Sequence, residues 1–104
     1  MPTLQQRLQA ALPVAMKARD QPAVRALRSA LAAIENAAAV DGSAHGPGVT
    51  EVPRRAQDEA ECERIVRTEV SDRLDAADAY EKWGQLGGAE RKRAEARALQ
   101  MHLV

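Results

Sequence analysis

Residues 21–38 read QPAVRALRSALAAIENAA, and the fold turns on this stretch. Val24, Leu27, Leu31, Ile34 and Ala38 recur at alternating spacings of three and four. That row is the apolar seam of a helix packed against other helices. Asp20 or Gln21 can cap its start, and Pro22 is tolerated in a first helical turn. The seam predicts a helix that runs up to a break beginning at Val40.

Upstream, Thr3 and Gln6 have capping-box spacing in front of Leu4, Leu8, Leu12, Ala15 and Met16, which share one face. A first helix over Leu4–Arg19 is predicted, bent at Pro13, which cannot donate to the carbonyl of Gln9. The connection to the second helix is very short, so the two form a tight hairpin. Downstream, Asp41-Gly42, Gly46-Pro47-Gly48 and Pro53 force turns, and 41–53 is expected to be a flexible Gly/Pro loop. A long third helix follows, roughly Ala56 to Trp83. Its stripe is Cys62, Val66, Val70, Leu74, Ala77 and Tyr80, widened by Ile65 and Trp83. Its opposite face carries the pairs Glu63–Arg67, Glu69–Arg73 and Asp78–Lys82, expected to be solvated. Gly84 and Gly87-Gly88 are read as the stop. A fourth helix from about Ala89 carries the row Ala89, Lys92, Ala96, Leu99 and Leu103. No strand-like alternation occurs. The expectation is an all-α, four-helix single domain over 1–104.

Composition narrows the function. The chain has 104 residues, 45% of them apolar, and 22 are alanine; there is no Phe, one Tyr and one Trp. Such a chain buries a modest core rather than a large enclosed pocket, so no cofactor is expected. No apolar run approaches the ~20 residues that span a bilayer; the longest, Ala30–Val40, is interrupted by Glu35 and Asn36. No signal peptide is visible, and a cytoplasmic protein is expected. The single cysteine, Cys62, forms no internal disulfide and reads as a small core residue whose acidic neighbours raise its thiol pKa. His45 lacks a second ligand at metal spacing, and His102 is placed to meet a helix dipole. No catalytic residue and no metal site are predicted.

The formal charge is zero, from 15 basic and 15 acidic residues. It is unevenly spread: residues 1–40 carry five basic and two acidic side chains, 41–84 six and eleven, and 85–104 four and two. On the second helix Arg25, Arg28 and Asn36 share a flank, and Lys17 and Arg19 lie just across the turn. These five residues are the candidate nucleic-acid or anion site, since Arg and Lys can hold phosphates. The competing reading pairs Arg28 with Glu35 on a solvated face.

Several strings resemble a known family. Leu4-Gln5-Gln6-Arg7-Leu8, Ala15-Met16-Lys17-Ala18-Arg19-Asp20, Leu27-Arg28 and Ala33-Ile34-Glu35-Asn36-Ala37 resemble the start of the GatB/YqeY family. So do Glu69-Val70, Arg73, Ala79-Tyr80-Glu81-Lys82 before Gly84, and Ala94-Glu95. Ser71, Gln85 and Ala38 depart from the residues usual in the family. The resemblance implies an all-helical module similar to the tail of the B subunit of the tRNA-dependent amidotransferase, here expected as a short form without the second domain. It implies tRNA or amidotransferase subunits as partners, with the amidotransferase link by association only. The alternative is a protein-interaction or self-associating helical module, a homo-oligomer with no nucleic-acid role.

Overall fold

The computed structural model describes residues 1–43 and 58–103. It contains four helices and, among the described residues, no strand: α1 (Leu4–Ala18), α2 (Gln21–Ser43), α3 (Glu59–Lys82) and α4 (Leu86–Gln100). Thr3 and Gln6 close the expected capping box: Gln6 N–H donates to Thr3 Oγ1 (3.1 Å) and Thr3 N–H to Gln6 Oε1 (2.9 Å). The next free amide, Leu4 N–H, donates to both oxygens of Glu59 (3.0 and 3.2 Å), tying the start of α1 to the start of α3. The helix continues through Pro13, which faces solvent. Asp58 caps α3 by accepting from Glu61 N–H (2.8 Å).

Two boundaries differ from the sequence expectation. Residues 41–43 extend α2 past Asp41-Gly42, and the rest of the 41–53 loop, with His45, lies outside the described residues. Gly84 ends α3 region with φ +72, a left-handed conformation that suits glycine. Gly87 and Gly88, however, belong to the first turn of α4. Gly88 is buried against Tyr80: a Cβ there would stand 2.7 Å from the ring's Cδ1. The second glycine therefore marks a close approach of α4 to α3, not a helix stop.

The core is built from the predicted rows. Leu4, Leu8, Val24, Leu27, Ile34, Cys62, Val66, Val70 and Leu99 are buried, with Ala26, Ala30 and Ala96 between them. Trp83 was expected on the apolar stripe but is 82% exposed, because it occupies the C-cap of α3, where the chain turns away. Met16, likewise expected on the apolar face of α1, is exposed.

A polar chain crosses this small core. Ser29 of α2 donates to Glu69 Oε1 of α3 (2.5 Å). Arg73 Nη1 donates to the same oxygen (3.2 Å) and to the Glu69 carbonyl (3.1 Å), and Arg73 Nε donates to Glu95 Oε1 of α4 (3.1 Å). Lys92 Nζ adds a fourth link, 3.5 Å from Glu95 Oε1. The Arg73, Glu69 and Glu95 side chains are only 12%, 18% and 3% exposed. The Glu69–Arg73 pair is thus an inward one, not the wet surface pair its spacing alone suggests. Asp78 also changes partner. Arg93 of α4 takes both Asp78 (3.5 Å) and Glu81 (2.5 Å), since antiparallel α4 brings one guanidinium within reach of two acids. Glu63 and Arg67 pair as expected, at 2.8 Å.

Two stability predictions follow from this geometry. Arg73→Ala leaves Glu69 with Ser29 and Glu95 with Lys92 in place of the shared guanidinium, and should lower the free energy of unfolding by about 3 kcal/mol in urea titrations, far more than Arg67→Ala on the exposed face. The adjacent glycines should respond in opposite directions in thermal melts. Gly87→Ala meets only ordinary contact with Arg91, at 3.6 Å, and should stabilise by about 0.5 kcal/mol. Gly88→Ala must displace Tyr80 and should destabilise by about 1 kcal/mol or more.

Candidate functional site

The candidate residues are placed by the two-residue turn Arg19-Asp20 between α1 and α2. Asp20 N–H donates to the Ala15 carbonyl (3.0 Å) and Arg19 N–H to the Met16 carbonyl (3.1 Å), which closes the end of α1. Asp20 Oδ1 in turn accepts from Ala23 N–H (3.2 Å), capping α2. Arg19 itself takes the left-handed conformation, φ 58. That conformation costs a non-glycine residue about 1 kcal/mol, so the turn holds a cation where glycine would be easier.

Around this turn Lys17, Arg19, Arg25 and Arg28 are all exposed. Arg28 Nη2 lies 3.9 Å from Met16 Sδ, so its side chain reaches back over the end of α1 beside Lys17. The Arg28–Glu35 pair does not form: among the described residues neither side chain enters an ion pair. The same holds for Lys17, Arg19 and Arg25. In contrast, Arg64, Arg67, Arg73, Lys92 and Arg93 on α3 and α4 all have carboxylate partners. The exposed Asn36 sits on the same side of α2 as Arg25 but roughly 16 Å further along the helix. It is a distant flank of the cluster rather than part of it.

Cys62 and His102 have structural surroundings. Cys62 is 1% exposed; burial pushes its thiol pKa up, and Glu59, Asp58 and Glu61 push it further. A thiol so placed is protonated at neutral pH and is a poor nucleophile. His102 was expected to meet a helix dipole, which would favour its cation. It lies just past the end of α4, half-buried, and desolvation, helped by the Arg7 charge, lowers its pKa. It shares a small cavity of about 80 Å³ with Leu4, Arg7, Glu59, Glu63 and Leu103. Sequence reasoning missed Ser29 and Glu95 as polar core residues. Glu95 carried a signal, standing beside the apolar row, next to Ala96, three residues after Lys92 and four before Leu99.

The sign for His102 is fixed by its lowered pKa. Below its ordinary value near 6.5 the unfolded chain binds more protons than the folded one, so stability rises with pH across that window. The urea midpoint should therefore fall between about pH 7.5 and 5.5. His102→Asn should flatten the part of the slope that this residue contributes.

Comparison with known proteins found a family. The family model of the YqeY-like proteins matches residues 5–103. No curated protein and no solved structure matches the chain. The matched span runs from the first turn of α1 to the end of the turn after α4 and includes the polar chain, the α1–α2 turn and every cation of the cluster. This chain belongs to the YqeY-like protein family.

Proposed function

We propose that the chain is a cytoplasmic, non-catalytic helical module that works beside tRNA-dependent amidotransferases and holds tRNA by its backbone phosphates. The resemblance to the GatB/YqeY family supplies the biological setting. The observation that carries the binding role is the separation of cations. On α3 and α4 most are consumed by carboxylates, whereas Lys17, Arg19, Arg25 and Arg28 stand exposed around one turn and enter no ion pair among the described residues. Arginine suits such a surface because its planar fork bonds two phosphate oxygens at once. The nearest acid, Asp20, is engaged in capping α2 and competes little for these cations. Phosphate contacts position a nucleic acid without reading its sequence, so this edge is suited to recognising the tRNA fold rather than an individual base.

Gel-shift titration with tRNA over a salt series tests the reading. Affinity should fall linearly on a log–log plot, and R25Q/R28Q should flatten the slope by roughly 0.9 per lost phosphate contact while circular dichroism stays unchanged. A folded double variant with wild-type affinity and slope would remove the phosphate role and leave a protein-interaction module.

A further inference from the structure

The hairpin of α3 and α4 ends in two exposed apolar side chains: Trp83 is 82% exposed and Leu86 65%. They stand on a fixed turn. Trp83 N–H donates to the Ala79 and Tyr80 carbonyls (3.3 and 3.2 Å), Gly84 N–H to the Glu81 carbonyl (3.0 Å) and Gln85 N–H to the Tyr80 carbonyl (2.8 Å). Next to the turn Gly88 lies against Tyr80, and Arg93 joins α4 to Asp78 and Glu81 of α3. The chain thus holds its one tryptophan out in solvent on a rigid support. Little backbone freedom is left to lose when a flat partner covers that ring.

The tip carries cations and overhangs the basic turn. Lys82 is exposed and, since Arg93 takes Asp78, enters no ion pair among the described residues. Arg91 is also exposed and enters none, and its Nη1 reaches back to Gly87 at the start of α4. Of the acids near the tip, Asp78 and Glu81 are taken up by Arg93, and Glu90 stands exposed. Ala18, Asp20 and Ala94 line one shallow trough, so the α1–α2 turn is level with Ala94 of α4. Arg91 stands one turn nearer the tip, on the same face of α4 as Ala94 and Ala98. Leu86 lies about 12 Å beyond Ala94 along the helix. Cations therefore run from Lys17 and Arg19 through Arg91 to Lys82 and end on an indole. Phosphate-binding cations beside an exposed aromatic ring are the parts of a platform for single-stranded nucleic acid. We infer that Trp83 stacks on an unpaired nucleobase of the RNA held at the α1–α2 turn, with Arg91 and Lys82 on the flanking phosphates. The inference rests on the phosphate-binding reading above and narrows it: the RNA element bound presents a splayed-out base, in a loop, a bulge or an end, rather than a continuous duplex.

Because Trp83 is the chain's one tryptophan, its fluorescence reads the contact directly. The full chain is titrated with tRNA, with a short single-stranded RNA and with the duplex of that strand. The emission should be quenched by tRNA and by the single strand, and far less by the duplex. In gel shifts Trp83→Ala, at an exposed position, should weaken tRNA binding about tenfold and leave the salt slope at its wild-type value, because stacking releases no counterions. Trp83→Tyr, which keeps an aromatic face, should recover most of that loss. R25Q/R28Q should behave in the opposite way, flattening the slope while its emission is still quenched at saturating RNA. Unquenched emission at saturating tRNA, or wild-type affinity of Trp83→Ala, would overturn the stacking and leave the phosphate contacts standing. Absence of any tRNA binding would overturn both readings. A blue shift of the emission on raising the protein concentration alone would also overturn the inference, since the indole would then be buried against a second copy.

Discussion

Arg73 is clasped between Glu69 on its own helix and Glu95 on α4, and Ser29 reaches Glu69 from α2. The rest of the structure depends on this clasp. Much of the apolar core around it is alanine, which buries little area per residue and tolerates sliding of one helix along another. Directional hydrogen bonds to a planar guanidinium do not tolerate sliding. A buried ion pair gains little net stability over an apolar replacement, but its geometry is demanding, so here it serves chiefly to set the register of α2, α3 and α4. Gly88 serves the same end by letting α4 lie close to Tyr80.

With the register set, the molecule separates its charges. Carboxylates, most of them on α3, pair with Arg64, Arg67, Arg73, Lys92 and Arg93, and one of the acids at the start of α3, Glu59, also ties down the first turn of α1. The cations of the α1–α2 turn are left to solvent. The neutral total therefore conceals a surface with a basic edge, and an even balance of charge is compatible with a phosphate-binding role. Burial and the acids at the start of α3 raise the Cys62 pKa, and burial with the Arg7 charge lowers that of His102.

The helices and their apolar rows were legible in the sequence because spacing alone places Val24, Leu27 and Ile34, or Cys62, Val66 and Val70, on one face. Thr3 with Gln6 announced the first cap for the same local reason. What could not be read depended on neighbours distant in sequence. Glu69–Arg73 has the spacing of an ordinary surface pair, and only the arrival of Glu95 from α4 and Ser29 from α2 turns it inward. Gly87-Gly88 looked like a helix stop because glycine usually is one; the need for a missing Cβ beside Tyr80 is a tertiary fact. Trp83 followed the apolar period but fell one residue beyond the helix that the period describes. The candidate cations could be named, since the short turn forces Lys17 and Arg28 together, but that they enter no ion pair among the described residues is visible only once the helices are packed.

The account rests on two kinds of arginine in one small bundle, one kind fixed and one kind free. Side-chain NMR of the arginine Nε–H groups distinguishes them directly. Arg73 Nε–H, which donates to buried Glu95, should exchange slowly with solvent and move with the backbone, while Arg25 and Arg28 should exchange fast and be motionally averaged. If Arg73 proved as mobile and as rapidly exchanging as Arg25, the clasp would not exist in solution, and the register of the bundle would need another cause.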